Sequence, residues 1–460
     1  MSGRFDVRFR RRLIQLYESG IRGRSVFRYW DSLNESQWWQ PEQLAALQLS
    51  RLKSLLLHTQ RTSPWYTEHW RSRGFDANAL NSLEDFRCWP VIDRDTVRAH
   101  RFAMRSNAPG VHLIAKSTGG SSGVPLQFDL DIDSIDRRTA AWHRGYGWAG
   151  AAPGTRQWYL WGVPPSSAAE WKKGKLRLYD RLYRRTTESC FDLSEMNLNR
   201  FVGSLAATRP DAIVAYTNAM YSFARLLEAH DIRPWRPASI VVGAEKLHAF
   251  QRETIERVFR APVFETYGSR EFMLIGAECE QHDGLHLTTE HLLVEVLDDD
   301  SRTTPTGDAG NVVITDLTNH GMPFIRYANG DRAIAGGTSC PCGRGLPLLQ
   351  AVTGRRLDVL TTPDGRSLPG EFFPHLLKEL ASVQQFQVIQ DNPAIVTVRL
   401  VAPEWREEDE RWLRAEVTAV VGCSLRIDVE RVDHIPLTAA GKLQVVVNRL
   451  ATSQWPKEQT

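Results

Sequence analysis

Three short apolar runs separated by amphipathic stretches constrain this chain more than any other feature. Ala212-Ile213-Val214-Ala215-Tyr216, Ser239-Ile240-Val241-Val242-Gly243 and Pro262-Val263-Phe264-Glu265-Thr266 read as buried strands. Between them, Ser222 to His230 and Phe250 to Phe259 carry helical spacing. Strand, helix, strand, helix, strand implies parallel pairing with crossover helices, so this region is α/β. In such sheets a ligand sits beyond the carboxyl ends of the strands. Those ends fall at Tyr216, at Gly243-Ala244-Glu245 and at Tyr267-Gly268.

Past Leu285 the texture changes. His291 to Leu297 and Asn311 to Thr315 read as antiparallel strands joined by turns such as Pro305-Thr306-Gly307-Asp308, which predicts a small barrel-like part beside the parallel sheet. A second break comes at Gly354-Arg355-Arg356. Beyond it, helices at Glu371 to Leu380 and Glu407 to Val420 mix with strands at Val383 to Gln390, Ile395 to Leu400 and Ser424 to Val429. That is a compact α+β module of about a hundred residues. The expected organisation is a large α/β region over 1–354 and a small, mobile α+β domain over 355–460. Before the sheet, Leu44, Leu47, Leu52, Leu55 and Leu56 line one face of a packing helix, and Asp93 to Val97 opens another.

The 57 basic and 54 acidic residues of this 460-residue chain nearly cancel, leaving +3. No basic stripe of the kind a nucleic-acid binder carries is present. Arg4 to Arg12 holds five arginines but no apolar signal core, so it reads as the solvated face of a first helix. No apolar run approaches the length of a bilayer span, and the protein reads as soluble and cytoplasmic. Six cysteines are too few for a disulfide framework in a chain this long. Cys88, Cys190 and Cys423, scattered among apolar neighbours, read as buried thiols.

Chemistry concentrates in a few segments. Lys116-Ser117-Thr118-Gly119-Gly120-Ser121-Ser122-Gly123-Val124-Pro125-Leu126 combines hydroxyls and glycines, a composition that lets backbone N–H groups and neutral donors wrap an anion. It lacks the Walker spacing, and on composition alone a mobile surface loop fits as well. Glu265-Thr266-Tyr267-Gly268-Ser269-Arg270-Glu271 follows a strand. Arg326-Tyr327-Ala328-Asn329-Gly330-Asp331, Gly354-Arg355 and Gly441-Lys442 come later. Taken singly, Glu271 could pair with Arg270, Asp331 could be a turn residue, and Lys442 could be an exposed hairpin lysine.

In this order the segments resemble those of adenylate-forming enzymes, especially the phenylacetate-CoA ligase, CapK and coenzyme F390 synthetase-like group, over roughly residues 40 to 450. The resemblance implies an ATP-dependent ligase that joins a carboxylic acid to AMP, releases pyrophosphate and passes the acyl group to an acceptor. It implies that Ser117, Thr118, Gly119, Gly120, Ser121, Ser122 and Gly123 cradle the departing pyrophosphate. Gly243, Ala244, Glu245, Glu265 and Thr266 would belong to the ATP site, with Tyr267 and Gly268 against the adenine. Glu271 would hold Mg²⁺, which favours oxygen donors. Asp331 would take the ribose hydroxyls, Arg355 the ribose or a phosphate, and Lys442 the α-phosphate. Tyr216, Trp142, Gly243 and Gly268 are candidates for the acid pocket, although aromatic side chains near strand ends also serve ordinary packing. The 15 tryptophans and 10% aromatic content are compatible with an aromatic acid.

The expected acceptor is coenzyme A; an amine or a carrier-protein thiol is the alternative, since this branch is associated with capsule, lipopolysaccharide and secondary-metabolite pathways. Dimers are common in the group. A nucleotide-binding homologue without catalysis is a third reading, prompted by departures from the pattern. The loop closes without the lysine many relatives carry there, and Leu357 stands at the usual hinge aspartate with Asp358 next.

A separate signal comes from cysteine. Cys340-Pro341-Cys342-Gly343 brings two thiols to one knuckle, with Cys279 and His286 on the segment after Tyr267. Three thiolates and an imidazole make a closed tetrahedral zinc site without an open position, hence structural. Relatives in the group carry a similar pair. Reduced thiols beside a core histidine fit the same residues, and His282 is a rival fourth ligand.

Overall fold

The computed structural model describes residues 2–118, 126–162, 170–355, 359–361, 363, 367–369, 372–377, 380, 382–421, 425–436 and 443–450. The chain divides into two compact units, Met1–Thr353 and Gly354–Thr460.

The first unit is organised by one eleven-stranded sheet. Five parallel strands form one side: Arg185–Ser189, Gln157–Trp161, Ala212–Tyr216, Ser239–Gly243 and Val263–Ser269. Ala212–Tyr216 and Ser239–Gly243 are buried at every position, as their unbroken apolar runs require. The crossover helices Thr217–Ala229 and Ala249–Phe259 follow them.

The antiparallel strands do not form a separate barrel. They extend the same sheet beyond Val263–Ser269 in the order Met273–Glu278, Leu285–Leu287, Leu348–Arg355, Tyr327–Ala335, Ala309–Asp316 and Leu292–Leu297. The reason is local: the chain reverses through Arg270, Glu271 and Phe272, so Val263–Ser269 has a parallel neighbour on one edge and an antiparallel one on the other. A Cβ at Gly268 would run into the carbonyl oxygen of Met273, which itself adopts φ +67°. The glycine is what permits so tight a reversal.

Helices cover the sheet. In Pro41–Thr62 the expected face is buried at Leu44, Leu52, Leu55 and Leu56, and Gln48 joins it. Gln48 is accommodated because its amide donates to the carbonyls of Thr289 and Leu292, at 3.1 and 3.0 Å. Arg94–Met104 begins at Asp93, whose carboxylate accepts from the Thr96 N–H at 2.8 Å. Cys190 is buried as expected, but Cys88 is exposed, its thiol directed to the Asp85 carbonyl at the end of a one-turn helix. Cys423 lies outside the described residues.

In the second unit, Arg426–Arg431, Ile395–Val401, Gln385–Asn392 and Val446–Asn448 form a four-stranded mixed sheet. With helices Phe372–Leu377 and Glu407–Val421 it makes the expected α+β module. Val388, Val396, Val398, Leu400, Leu413 and Val417 are the centre of its core.

Candidate functional site

The end of Val263–Ser269, the turn after it and the start of Tyr327–Ala335 meet beyond the parallel strands. Glu271 is buried in that turn, 4% exposed. Its Oε1 receives the Tyr327 hydroxyl at 3.5 Å and lies 3.6 Å from the Arg94 guanidinium. Burial, and then the Glu271 charge, push the Tyr327 hydroxyl above its ordinary pKa. Arg138, paired with Asp316, also donates to the Glu271 carbonyl and so fixes the backbone of the turn.

Asp331 is brought to this place by a bulge. Val313 pairs with Ala328 and Asn311 with Arg332, so Asn329, Gly330 and Asp331 together oppose one residue. Gly330 adopts φ +85°, and the Asp331 N–H is closed onto Asn329 Oδ1 at 3.0 Å. The turn chemistry is therefore real, and it re-aims the carboxylate: Asp331 Oδ2 accepts from the Tyr267 hydroxyl and from the Asn329 amide, each at 2.8 Å. A third bond, Asn329 to the Tyr267 oxygen at 2.8 Å, closes the triangle.

The anion-loop segment springs from a hairpin in which Leu113–Ser117 pairs with Gln127–Asp131. Thr118 is buried and stitches the base: its N–H donates to the Leu126 carbonyl at 3.0 Å, and its hydroxyl accepts from the Leu126 N–H at 2.9 Å. The Ser117 hydroxyl donates to the Thr118 carbonyl at 3.3 Å. Gly119, Gly120, Ser121, Ser122 and Gly123 lie outside the described residues, as do Leu357, Asp358 and Lys442. Arg355 closes its strand.

At the next strand end, Gly243 allows Thr266 to pack against its backbone, where a Cβ would collide with the Thr266 hydroxyl. Ala244 takes φ +70°, uncommon for a residue with a side chain. Glu245 accepts from the Asn218 N–H at 2.9 Å and so satisfies the start of the helix Thr217–Ala229. Glu265 accepts from the Leu247 N–H at 3.2 Å, and burial followed by the charge of Glu278 pushes its carboxyl up to about 7.

The candidate acid-pocket aromatics fall into two pairs. The Tyr216 ring packs on Trp161 with centroids 4.1 Å apart. Burial pushes the Tyr216 hydroxyl up to about 12. Trp142 packs on Tyr146 at 5.0 Å, and the Tyr146 hydroxyl meets both Trp142 and Thr266.

Cys279, His286, Cys340 and Cys342 converge, with all four candidate ligand atoms within 4.8 Å of one another. Cys279 Sγ lies 3.7 Å from Cys340 Sγ, and Cys342 Sγ 3.3 Å from His286 Nε2. These are close to the edges of a tetrahedron with metal bonds of about 2.0–2.3 Å. His286 directs Nδ1 to the Leu346 carbonyl at 3.2 Å, which leaves Nε2 for the cluster. The Gln281 and Arg344 N–H groups point at Cys279 and Cys342 sulfur, at 3.5 and 3.4 Å. His282 is not in the group; it faces Glu278 at 3.0 Å and packs on Phe264. Residues and spacings of this kind fit a structural zinc ion.

Sequence reasoning missed Arg94, Tyr327, Asn329, Tyr146 and Trp161. Tyr327 and Asn329 lay inside a motif already singled out. Trp161 ends an apolar run, whereas nothing local marked Arg94 or Tyr146.

The CapK C-terminal domain family matches residues 360–449. A phenylacetate-coenzyme A ligase from Thermus thermophilus is 24% identical over 444 residues, covering 88% of this chain and 97% of the relative. Protein CapK from Staphylococcus aureus is 21% identical over 422 residues, with 88% and 90% covered. Among solved structures, a 2-hydroxyisobutyryl-CoA ligase in the postadenylation state superposes with a TM-score of 0.68 at 20% identity, covering 87% of this chain and 88% of that one.

Proposed function

Because the chain belongs to the adenylate-forming superfamily, in its phenylacetate-CoA ligase and CapK family, we propose that it is an ATP-dependent, AMP-forming acyl-CoA ligase acting on an aromatic carboxylic acid. What carries the reading is the convergence of Glu271 with Tyr327, and of Asp331 with Tyr267 and Asn329, at the end of one strand.

In the first half-reaction a carboxylate oxygen of the acid attacks the α-phosphorus of ATP. The bond to the β-phosphate oxygen breaks, and pyrophosphate leaves with the electron pair. Ser117 to Gly123 hold the departing anion with neutral donors. The buried Glu271 carboxylate suits Mg²⁺, which offsets phosphate charge when bound. Asp331, held by Tyr267 and Asn329, accepts from the ribose hydroxyls, and Tyr267, Gly268 and Gly243-Ala244-Glu245 shape the nucleotide pocket. Arg355 meets the ribose or a phosphate, and Lys442 neutralises charge at the α-phosphate. Trp142, Tyr146, Trp161 and Tyr216 supply an aromatic wall for the acid. In the second half-reaction the coenzyme A sulfur attacks the acyl carbon, AMP departs with the bonding pair, and the thiol proton goes to solvent. Zinc at Cys279, His286, Cys340 and Cys342 would have a structural part only.

Exchange of labelled pyrophosphate into ATP, measured across a panel of carboxylic acids, tests the proposal. One acid should drive exchange, and Lys442→Ala should lower it by about two orders of magnitude or more. No exchange with any acid would leave only a nucleotide-binding role. Offering coenzyme A, amines and a carrier-protein thiol in turn then identifies the acceptor.

A further inference from the structure

Two cations beside the anion loop have no part in the scheme above. Arg270 lies in the turn before Glu271 and donates through Nε to the Ser117 carbonyl at 3.4 Å, where the strand Leu113–Ser117 ends. Lys116, one residue earlier, opens to solvent. Partial desolvation, and then the charges of Arg270, Arg24 and Arg138, hold its pKa below the ordinary lysine value. The last two arginines are neutralised, Arg24 by Asp136 and Arg138 by Asp316. Lys116 and Arg270 are not: among the described residues neither has a carboxylate within ion-pair reach.

Neighbouring cations without a counter-charge repel one another, and a multiply charged anion relieves that repulsion. The two also differ usefully. A guanidinium presents a planar fork to phosphate oxygens, and an ammonium acts as a movable point charge. They flank the segment Ser117 to Leu126, which holds no basic residue of its own.

We infer that Lys116 and Arg270 form a dicationic clamp for the β- and γ-phosphates of ATP, supplying the positive charge that the loop itself lacks. The inference rests on the adenylation reading and adds to it the two side chains that discriminate ATP from AMP.

Calorimetric titration of the full-length protein with Mg-ATP and, separately, with AMP tests it without knowledge of the acid. Arg270→Ala and Lys116→Ala should each raise the Kd for ATP about tenfold, as loss of one charge-assisted contact would. The Kd for AMP should stay within about twofold, and Arg270→Lys, which keeps the charge but loses the planar fork, should recover only part of the ATP affinity. Unchanged ATP affinity in both alanine variants would overturn the clamp while leaving adenylation standing. So would an equal loss of ATP and AMP, the mark of a merely structural role. A wild-type protein that bound neither nucleotide would instead overturn the adenylation reading itself.

Discussion

Replacing Glu265 with glutamine should make the protein more stable at neutral and alkaline pH while leaving it nearly unchanged in stronger acid. Glu265 is held among Leu247, Glu278 and Arg252, and burial, then the Glu278 charge, push its carboxyl from 4.5 up to about 7. A folded-state pKa above the unfolded value means that the fold holds the proton more tightly. The contribution is complete below about pH 4.5 and is lost as pH rises through about 7. Each pH unit between those limits is worth about 1.4 kcal/mol, so the loss comes to roughly 3 kcal/mol by pH 8. Glutamine stays neutral at every pH and keeps an acceptor for the Leu247 N–H. Urea unfolding of both proteins at pH 5, 6, 7 and 8, following the transition of the larger unit, should show the variant's advantage growing from about 1 kcal/mol to about 3 kcal/mol. Groups distant from Glu265 are common to both proteins and cancel. A difference that stayed constant with pH, within about 0.5 kcal/mol, would refute the claim that Glu265 is the titrating strain.

Other outcomes follow from separate parts of the molecule. Purified protein should carry zinc, and Cys340→Ser should lose it together with thermal stability; elemental analysis and a melting curve check both. Arg144→Leu should cost about 3–5 kcal/mol in urea unfolding, because it strands Glu290. In the native fold that buried carboxylate is gripped at 2.6 and 3.0 Å by Arg144 and accepts from Ser36 at 2.5 Å. Gly268→Ala should unfold the protein or remove it from the soluble fraction, since its methyl group meets the Met273 backbone, whereas Gly20→Ala, with nothing within 4 Å, should express and melt like wild type.

How far the chain could be read without coordinates depended on how local each signal was. Ala212–Tyr216 and Ser239–Gly243 were legible to the residue because an unbroken apolar run between amphipathic stretches has few other places to go. The α+β character of the C-terminal unit was legible for the same reason. The cysteine and histidine cluster was legible as a donor set. Choosing His286 over His282 was not, because both lie near Cys279 in sequence and only the hairpin register separates them. Cys88 misled the reading: its apolar neighbours Phe86 and Trp89 turn inward while the intervening thiol turns out.

Order, chemistry and class of the candidate site thus came from sequence, since loop composition, strand ends and motif order are written along one dimension. Tertiary structure alone decided that the antiparallel strands continue the parallel sheet, that a bulge turns Asp331 toward Tyr267, and that Arg94 comes to Glu271. It also decided that Arg270 reaches the Ser117 carbonyl, next to Lys116, although Arg270 and Ser117 are 153 positions apart in the chain. Contacts between segments far apart in the chain depend on sheet register and on which edge a strand leaves open. Neither quantity is encoded in any short window of residues.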